Sequence, residues 1–67
     1  MQLLDPSGNP AVLGKSYTTF RGELCELLAI EPPRHAGSTG RVILRFSGSN
    51  QDVERYPSVI GLRWHND

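Results

Sequence analysis

The fold prediction starts from one stretch of the sequence, which reads Arg41-Val42-Ile43-Leu44-Arg45-Phe46. In an extended chain Val42, Leu44 and Phe46 lie on one face, whereas the two arginines and Ile43 lie on the other. This alternation is typical of a β-strand that has one face on a core and one face toward water. Loops rich in glycine and serine precede it at 37–40 and follow it at 47–50. The pattern therefore predicts a strand over 41–46.

The chain after this strand predicts a hairpin and one more strand. Residues 52–56 can pair back against 41–46 after the polar turn at 47–51. Pro57 then interrupts the pairing, because proline lacks the backbone N–H that a ladder needs. Residues 58–64 end the fold, and we expect three of their side chains to share one face: Ile60, Leu62 and Trp64.

A tight turn is predicted near the N-terminus. Asp5, Pro6 and Gly8 fit a type I turn, in which the Asp5 side chain can accept hydrogen bonds from the backbone. Residues 11–13 would then return beside residues 3–4 as a brief hairpin.

A further strand is predicted over residues 15–20. The segment is dominated by β-branched and aromatic side chains, which favour a pleated surface. Tyr17 and Thr19 fall on one face and Phe20 on the other. We expect Phe20 and Phe46 to lie in the core, since a thin core needs large side chains.

The segment 23–31 is ambiguous between helix and strand. Its leucines at 24, 27 and 28 fit a helical spacing as well. We favour a strand, bent along its length, because no capping residue precedes the segment and Pro32 ends it abruptly. As a strand it would carry Cys25, Leu27 and Ala29 on one face and Leu24, Glu26, Leu28 and Ile30 on the other.

These elements predict an all-β, antiparallel fold in a single domain over residues 1–67. About five short strands are expected, with a turn signal every few residues. A sheet this small must curl to bury its apolar side chains and protect its edges. We therefore predict a small five-stranded SH3-like barrel or roll. An OB-fold is the lesser alternative, because it usually needs a longer chain and a helix.

Composition is that of a globular chain with a modest core. The 67 residues are 37% hydrophobic and 21% charged, which is typical of folded rather than disordered chains. The longest apolar run has four residues (27–30), so we expect no membrane partner, and the N-terminus does not resemble a signal peptide. One cysteine cannot form an internal disulfide, which favours a reducing cytoplasm. Cys25 is interpreted as a small apolar strand residue.

The net charge is zero but unevenly spread. Residues 1–33 carry two basic and four acidic side chains, a net −2, whereas residues 34–67 carry five basic and three acidic ones, a net +2. A neutral chain with this mild asymmetry argues against a strongly nucleic-acid-seeking protein.

Catalytic chemistry is hard to build from this sequence. The single thiol of Cys25 has no base placed beside it, and the two imidazoles are His35 in a loop and His65 near the end. No paired spacing typical of metal ligands occurs. The acidic pairs at 23/26 and 52/54 are interpreted as solvated carboxylates. We predict a protein that is not an enzyme and that uses no cofactor and no metal.

The loop 34–41 is the most chemically loaded part of the chain. Two arginines flank glycines and two hydroxyls, a composition that could hold a phosphate or a carboxylate. The alternatives are a solvated connection and a protein contact. It is not a P-loop, because the Lys-Ser/Thr ending is missing.

Aromatic and arginine side chains extend this candidate site. Tyr17, Tyr56 and Trp64 could share an exposed groove. The outward face of the 41–46 strand, with Arg55 and Arg63, is either a cationic stripe or a set of solubilising arginines paired with Glu54 or Glu31. The predicted binding residues are Arg34, His35, Ser38, Thr39, Arg41, Arg45, Tyr56 and Trp64.

Three strings carry a resemblance that covers most of the chain: Tyr17-Thr18-Thr19-Phe20-Arg21-Gly22-Glu23, then residues 31–42, then Tyr56-Pro57-Ser58-Val59-Ile60-Gly61-Leu62-Arg63-Trp64. They look like small uncharacterised proteins encoded by bacteriophages and prophages. The resemblance implies a bacterial host cytoplasm and no established activity.

A second, shorter resemblance involves Tyr56-Pro57-Ser58-Val59. It is similar to the passage near the end of SH3 domains in which a short 3₁₀ turn joins the last two strands. The acidic, tyrosine-rich loop that SH3 domains use on proline-rich peptides is missing from this chain, so that ligand class is not implied.

Two functions from different classes follow. The first is a non-catalytic binding module, phage- or prophage-encoded, that contacts a bacterial or phage protein. The alternative is a nucleic-acid-binding SH3-like barrel that uses an arginine-rich strand face with Tyr56 or Trp64 as a stacking surface. Self-association through edge strands, giving a homo-oligomer, is a third expectation.

Overall fold

The structure is a computed structural model that describes residues 2–35 and 37–65. Those residues form short strands and one 3₁₀ helix, and no α-helix occurs among them. The prediction of an all-β fold is therefore confirmed. In chain order the elements are β1 (Gln2–Leu4), β2 (Ser16–Thr18), β3 (Leu24–Glu31), β4 (Arg41–Phe46), β5 (Asp52–Arg55), the 3₁₀ helix (Pro57–Ile60) and β6 (Arg63–His65).

The strands form two antiparallel sheets. One is a meander in the order β2-β3-β4-β5, and the other pairs β1 with β6. Within the described residues the ladders do not close these sheets into a barrel, and there are six strands rather than the five expected. Pro57 begins a 3₁₀ helix after β5. The last strand therefore leaves the meander and pairs with the N-terminal one.

Strand β4 has the bounds and the alternation that its sequence predicts. The side chains of Val42 and Leu44 are fully buried, and the half-buried Phe46 packs against the core. Across the ladder Leu44 lies opposite Leu27, and Val42 lies opposite Ile30. This strand is thus the centre of the apolar interior.

The ambiguous segment forms a strand, β3, as predicted, and this strand carries a bulge between Leu27 and Ala29. Cys25 and Leu27 share a face, as predicted, and that face lies on the core. Because the extra residue shifts the alternation by one position, Ile30 packs against the core and Ala29 lies opposite the outward Ile43. The predicted faces of Ala29 and Ile30 were therefore wrong.

The turn after β1 is confirmed. The Gly8 N–H donates to the Asp5 carbonyl oxygen at 2.9 Å. The Asp5 carboxylate accepts the N–H groups of Ser7 and Asn9, each at 2.9 Å. The chain returns as a single bridge between Leu4 and Pro10 rather than as a full strand. These bonds explain how a carboxylate can be buried in so small a protein.

Among the residues that the structure describes, the core consists of eight buried apolar side chains: Leu3, Tyr17, Cys25, Leu27, Val42, Leu44, Ile60 and Leu62. Phe20 is not among them. Its side chain is 79% exposed, so its predicted core position was wrong. Tyr17 and Thr19 occupy the inner face of this segment, and Phe20 therefore points outward. Tyr17, expected in an exposed groove, is instead buried, and its hydroxyl accepts the Val12 N–H at 3.0 Å.

Strand β5 is one edge of the four-stranded sheet. The Ser47 N–H donates to the Leu24 carbonyl oxygen. Because backbone groups alternate in direction along an antiparallel strand, the odd-numbered residues of β4 direct their N–H and C=O groups toward β3. The even-numbered residues direct theirs toward β5. The backbone groups of Asp52 and Glu54 consequently face the open edge. The Arg55 guanidinium donates to the Glu54 carbonyl oxygen at 2.8 Å and covers part of that edge.

Candidate binding surface

The loop 32–40 is held tightly at its base by Gly40. This residue is buried and has a φ of 65°. A Cβ at Gly40 would clash with the Glu31 carbonyl oxygen and lie 3.0 Å from the Pro33 nitrogen. Only glycine combines this backbone conformation with so close an approach. The loop is therefore closed onto the end of β3 before β4 begins.

The polar groups of the loop bond to one another. The Ser38 N–H donates to the His35 carbonyl oxygen at 3.1 Å. The Gly40 N–H donates to the Ser38 hydroxyl at 3.3 Å. These two N–H groups are therefore engaged within the loop, and an anion here would have to be held mainly by side chains.

Arg41 stacks on Tyr56. Its guanidinium carbon lies 4.1 Å from the centroid of the Tyr56 ring, a cation–π distance. One terminal nitrogen donates to the Gly40 carbonyl oxygen at 2.8 Å, and the other lies 3.4 Å from the Tyr56 hydroxyl. Nε is 3.9 Å from a Glu54 carboxylate oxygen. These contacts hold the guanidinium and the ring together as one half-exposed stack, which we call the Arg41–Tyr56 stack.

Trp64 is fixed by a hydrogen bond across the fold. Its indole N–H donates to the Thr39 carbonyl oxygen at 2.7 Å, joining β6 to the loop. The half-buried ring packs against the core. It lines a cleft of about 180 Å³ together with Pro57 and Leu62. The bond satisfies the polar end of the indole, so the apolar part of the ring is free to form a cleft wall.

Most of the predicted binding residues meet in one region. Thr39 lines both the Trp64 cleft and a second cleft that Tyr56 and Arg41 also line. A third groove continues from Arg41 to Arg34. We call this region the Tyr56–Trp64 surface; it contains seven of the eight predicted residues: Arg34, His35, Ser38, Thr39, Arg41, Tyr56 and Trp64.

Arg45 is the predicted residue that lies elsewhere. It sits on the outward face of β4, and its guanidinium contacts one Asp52 carboxylate oxygen at 2.8 and 2.9 Å. Glu26 lies opposite it on β3. Exposed ion pairs of this kind contribute little to stability, but they neutralise the charge of the face.

The arginines do not form a single cationic stripe. On the outward face of the meander, Arg41 and Arg45 are accompanied by four acidic residues: Glu26, Glu31, Asp52 and Glu54. Arg55 lies opposite Val42 and so belongs to the other face. Arg63 lines the Trp64 cleft, and Arg34 belongs to the loop. Of the two alternatives for this face, the structure supports solubilising arginines paired across strands.

Cys25 is placed as a structural residue. The thiol is 2% exposed and donates to the Tyr17 carbonyl oxygen at 3.4 Å. Burial, and secondarily the negative charge of Glu23, raises the pKa of the Cys25 thiol above its ordinary value. The thiolate that a nucleophile requires is therefore disfavoured. Across residues 2–35 and 37–65, His, Cys, Asp and Glu side chains form no group of three or more that could hold a metal ion.

Sequence reasoning missed a second exposed feature around Phe20. This side chain, together with Phe46 and Val59, lines an open groove. The signal was present in the alternation, because placing Tyr17 and Thr19 inside requires Phe20 to point outside. The expectation that every phenylalanine is needed in a thin core obscured it.

The chain matches no protein-family model, no curated protein and no solved structure. In the part of the chain that the structure describes, no helix has the length and apolar character needed to cross a bilayer.

Proposed function

We propose that this protein is a non-catalytic binding module of SH3-like architecture that contacts a protein partner through the Tyr56–Trp64 surface. The sequence resemblance supports a phage or prophage origin, a bacterial or phage partner, and action in the host cytoplasm.

The order of the elements supports the SH3-like part of this proposal. The chain runs through an antiparallel meander, and its first and last strands pair with each other. The 3₁₀ helix at Pro57–Ile60 lies between the last two strands, which is where the resemblance to SH3 domains predicts such a turn. Gly61 ends that helix with a φ of 76°, which turns the chain into β6.

The single observation that carries the binding proposal is that the Arg41–Tyr56 stack and the Trp64 ring are already fixed in place on one surface. Tyr56 is 52% exposed yet fixed by Arg41, and Trp64 is fixed by its bond to Thr39. Tyrosine, tryptophan and arginine are the side chains that most often dominate protein–protein binding energy. Because both rings are already held in place, little conformational entropy is lost when a partner binds.

The experiment is a comparative capture from nuclease-treated bacterial lysate. The immobilised full chain is compared with Tyr56→Ser and with Gln51→Ala, an exposed control in the β4–β5 turn. A protein that Tyr56→Ser loses and Gln51→Ala retains supports the proposal. Equal capture by all three chains, or capture that occurs only from a parallel lysate without nuclease, contradicts it.

Nucleic-acid binding is the alternative function, and one observation favours it. The Arg41–Tyr56 stack presents a cation beside an aromatic ring, and single-stranded bases stack on such pairs. The carboxylates beside the β4 arginines weigh against it. This alternative predicts affinity for oligonucleotides that falls steeply as salt rises and that Arg41→Glu weakens further. A gel-shift titration across salt concentrations would exclude it if no shift occurs.

A further inference from the structure

The Phe20 side chain is held out into solvent by a rigid turn. The buried Thr19 hydroxyl accepts the N–H groups of Arg21 and Glu23, each at 3.2 Å. The Gly22 N–H donates to the Thr19 carbonyl oxygen and the Thr19 N–H to that of Glu23, each at 2.9 Å. The exposure of Phe20 is therefore a fixed property of the turn.

The turn is also attached to the 3₁₀ helix. The Phe20 N–H donates to the Val59 carbonyl oxygen at 3.3 Å. Between these elements lies an open groove of about 450 Å³, with Phe20, Phe46 and Val59 as its apolar lining. It shares none of its lining residues with the Tyr56–Trp64 surface, so an inference about it stands apart from the proposed function.

The rim of this groove carries an excess of positive charge. Arg21 and Arg55 both line it, against the single acidic residue Glu23. The Thr19 hydroxyl donates to the Glu23 carboxylate at 3.5 Å. The Arg21 guanidinium lies 5.6 Å from the Phe20 ring centroid, so charge and aromatic surface are presented together.

We propose that this groove is a second docking site, which takes an acidic segment of a partner protein carrying an apolar side chain. The apolar side chain lies against Phe20, Phe46 and Val59. Carboxylates on either side of it meet Arg21 and Arg55, since complementary charges steer the segment and fix its register.

Two other occupants fit the groove less well. A second copy of the chain, packed groove to groove about a two-fold axis, brings together two rims that each carry an excess of positive charge. A single strand of nucleic acid places its bases on the apolar lining, which offers no polar partner to their edges. An acidic segment with one apolar side chain matches both the apolar lining and the excess of positive charge on the rim.

The test is a titration of the isotope-labelled full chain, followed by the amide signals of its spectrum. The probe is a short peptide of aspartate and glutamate with a central leucine. One control peptide replaces the leucine by serine, another replaces the acidic residues by lysine, and short oligothymidylate tests the nucleic-acid alternative. The variants are Phe20→Ser and Arg21→Glu, both at exposed positions, with Tyr56→Ser as the matched control.

The expected result is that the leucine peptide shifts the amides of Arg21, Gly22, Arg55 and Val59. Phe20→Ser and Arg21→Glu should each weaken its apparent affinity by about tenfold, whereas Tyr56→Ser should leave the affinity unchanged. Shifts confined to the Tyr56–Trp64 surface overturn the proposal. So do equal responses to the serine peptide, a stronger response to oligothymidylate, or no response at all. Because Tyr56→Ser also separates the two surfaces, failure here leaves the proposed function to its own experiment.

Discussion

The Arg41 guanidinium lies 4.1 Å from the centre of the Tyr56 ring. Arg41 is the first residue of β4, and Tyr56 directly follows the end of β5, whose ladder with β4 ends at the pair Val42–Arg55. The contact therefore extends the β4–β5 hairpin beyond its last ladder pair. It is the connection between the loop 32–40 and the start of the 3₁₀ helix.

A double-mutant cycle on this pair should reveal a measurable coupling. We expect Arg41→Gln and Tyr56→Leu to be non-additive by about 0.5–1 kcal/mol in the free energy of unfolding, the range for a partly exposed cation–π contact. The 3.9 Å contact of Arg41 with Glu54 is too exposed to contribute much. Urea denaturation of the four chains measures the coupling, and additive effects would mean that the stack is energetically silent.

Gly40→Ala should destabilise the protein more than Gly37→Ala. Both glycines have positive φ, so both substitutions introduce backbone strain of about 1 kcal/mol. A Cβ at Gly37 meets open space, whereas one at Gly40 clashes with the Glu31 carbonyl oxygen. We expect Gly40→Ala to lower the free energy of unfolding by about 1–3 kcal/mol more than Gly37→Ala does. Equal losses would show that the loop base can relax.

Phe20→Ser should leave stability unchanged to within about 0.5 kcal/mol, because the side chain is exposed. Phe46→Ala is the contrasting variant. Phe46 packs against the core, so its truncation should cost about 1.5–3 kcal/mol. Thermal and urea unfolding of both chains provide the measurement. A large loss for Phe20→Ser would place that ring in an apolar environment after all.

The Cys25 thiol should make stability fall at alkaline pH. Its pKa is raised in the folded protein, so folding favours the protonated thiol. The corresponding stability is fully present below the ordinary thiol pKa of about 8.5 and is lost as pH rises through the higher folded value. The unfolding free energy of the wild-type chain should therefore fall relative to Cys25→Ala on going from neutral to alkaline buffer. Parallel pH profiles for the two chains would contradict this.

Pairing of β5 with a second copy of itself should be disfavoured. Antiparallel pairing that keeps both cores on the same side sets Val53 against Val53, which brings Asp52 opposite Glu54, or sets Glu54 against Glu54. Either register opposes acidic residues. The double variant Asp52→Asn, Glu54→Gln should therefore self-associate more than the wild type, as measured by light scattering at several concentrations. A wild-type dimer with protected β5 amides would refute this account.

Local patterns were sufficient to predict several elements. The alternation in 41–46 predicted β4 with its bounds, and Pro57 marked the end of the hairpin. Asp5 and Gly8 predicted their turn because the required chemistry lies within four neighbouring residues. Cross-strand pairing of the outward arginines was also among the alternatives, but with Glu54 or Glu31 as partners, whereas Arg45 pairs with Asp52.

Other features depend on contacts that are distant in sequence. The bulge in β3 is decided by packing Ile30 opposite Val42, which no pattern within 23–31 reveals. The pairing of β1 with β6 joins the two ends of the chain. The bond between Trp64 and Thr39 spans 25 positions, so the sequence could suggest both residues for a site but not their contact. Phe20 was misplaced because the demand for core volume was set above strand alternation.

The pairing of Gln2 with His65 has a practical consequence. The first and last described strands lie side by side, so the domain can be inserted into a surface loop of an unrelated protein without distorting either strand. For the same reason a short linker between the two strands could cyclise the chain. New chain ends could then be introduced in the 47–51 turn, which joins β4 to β5 and is not part of the β1–β6 pairing.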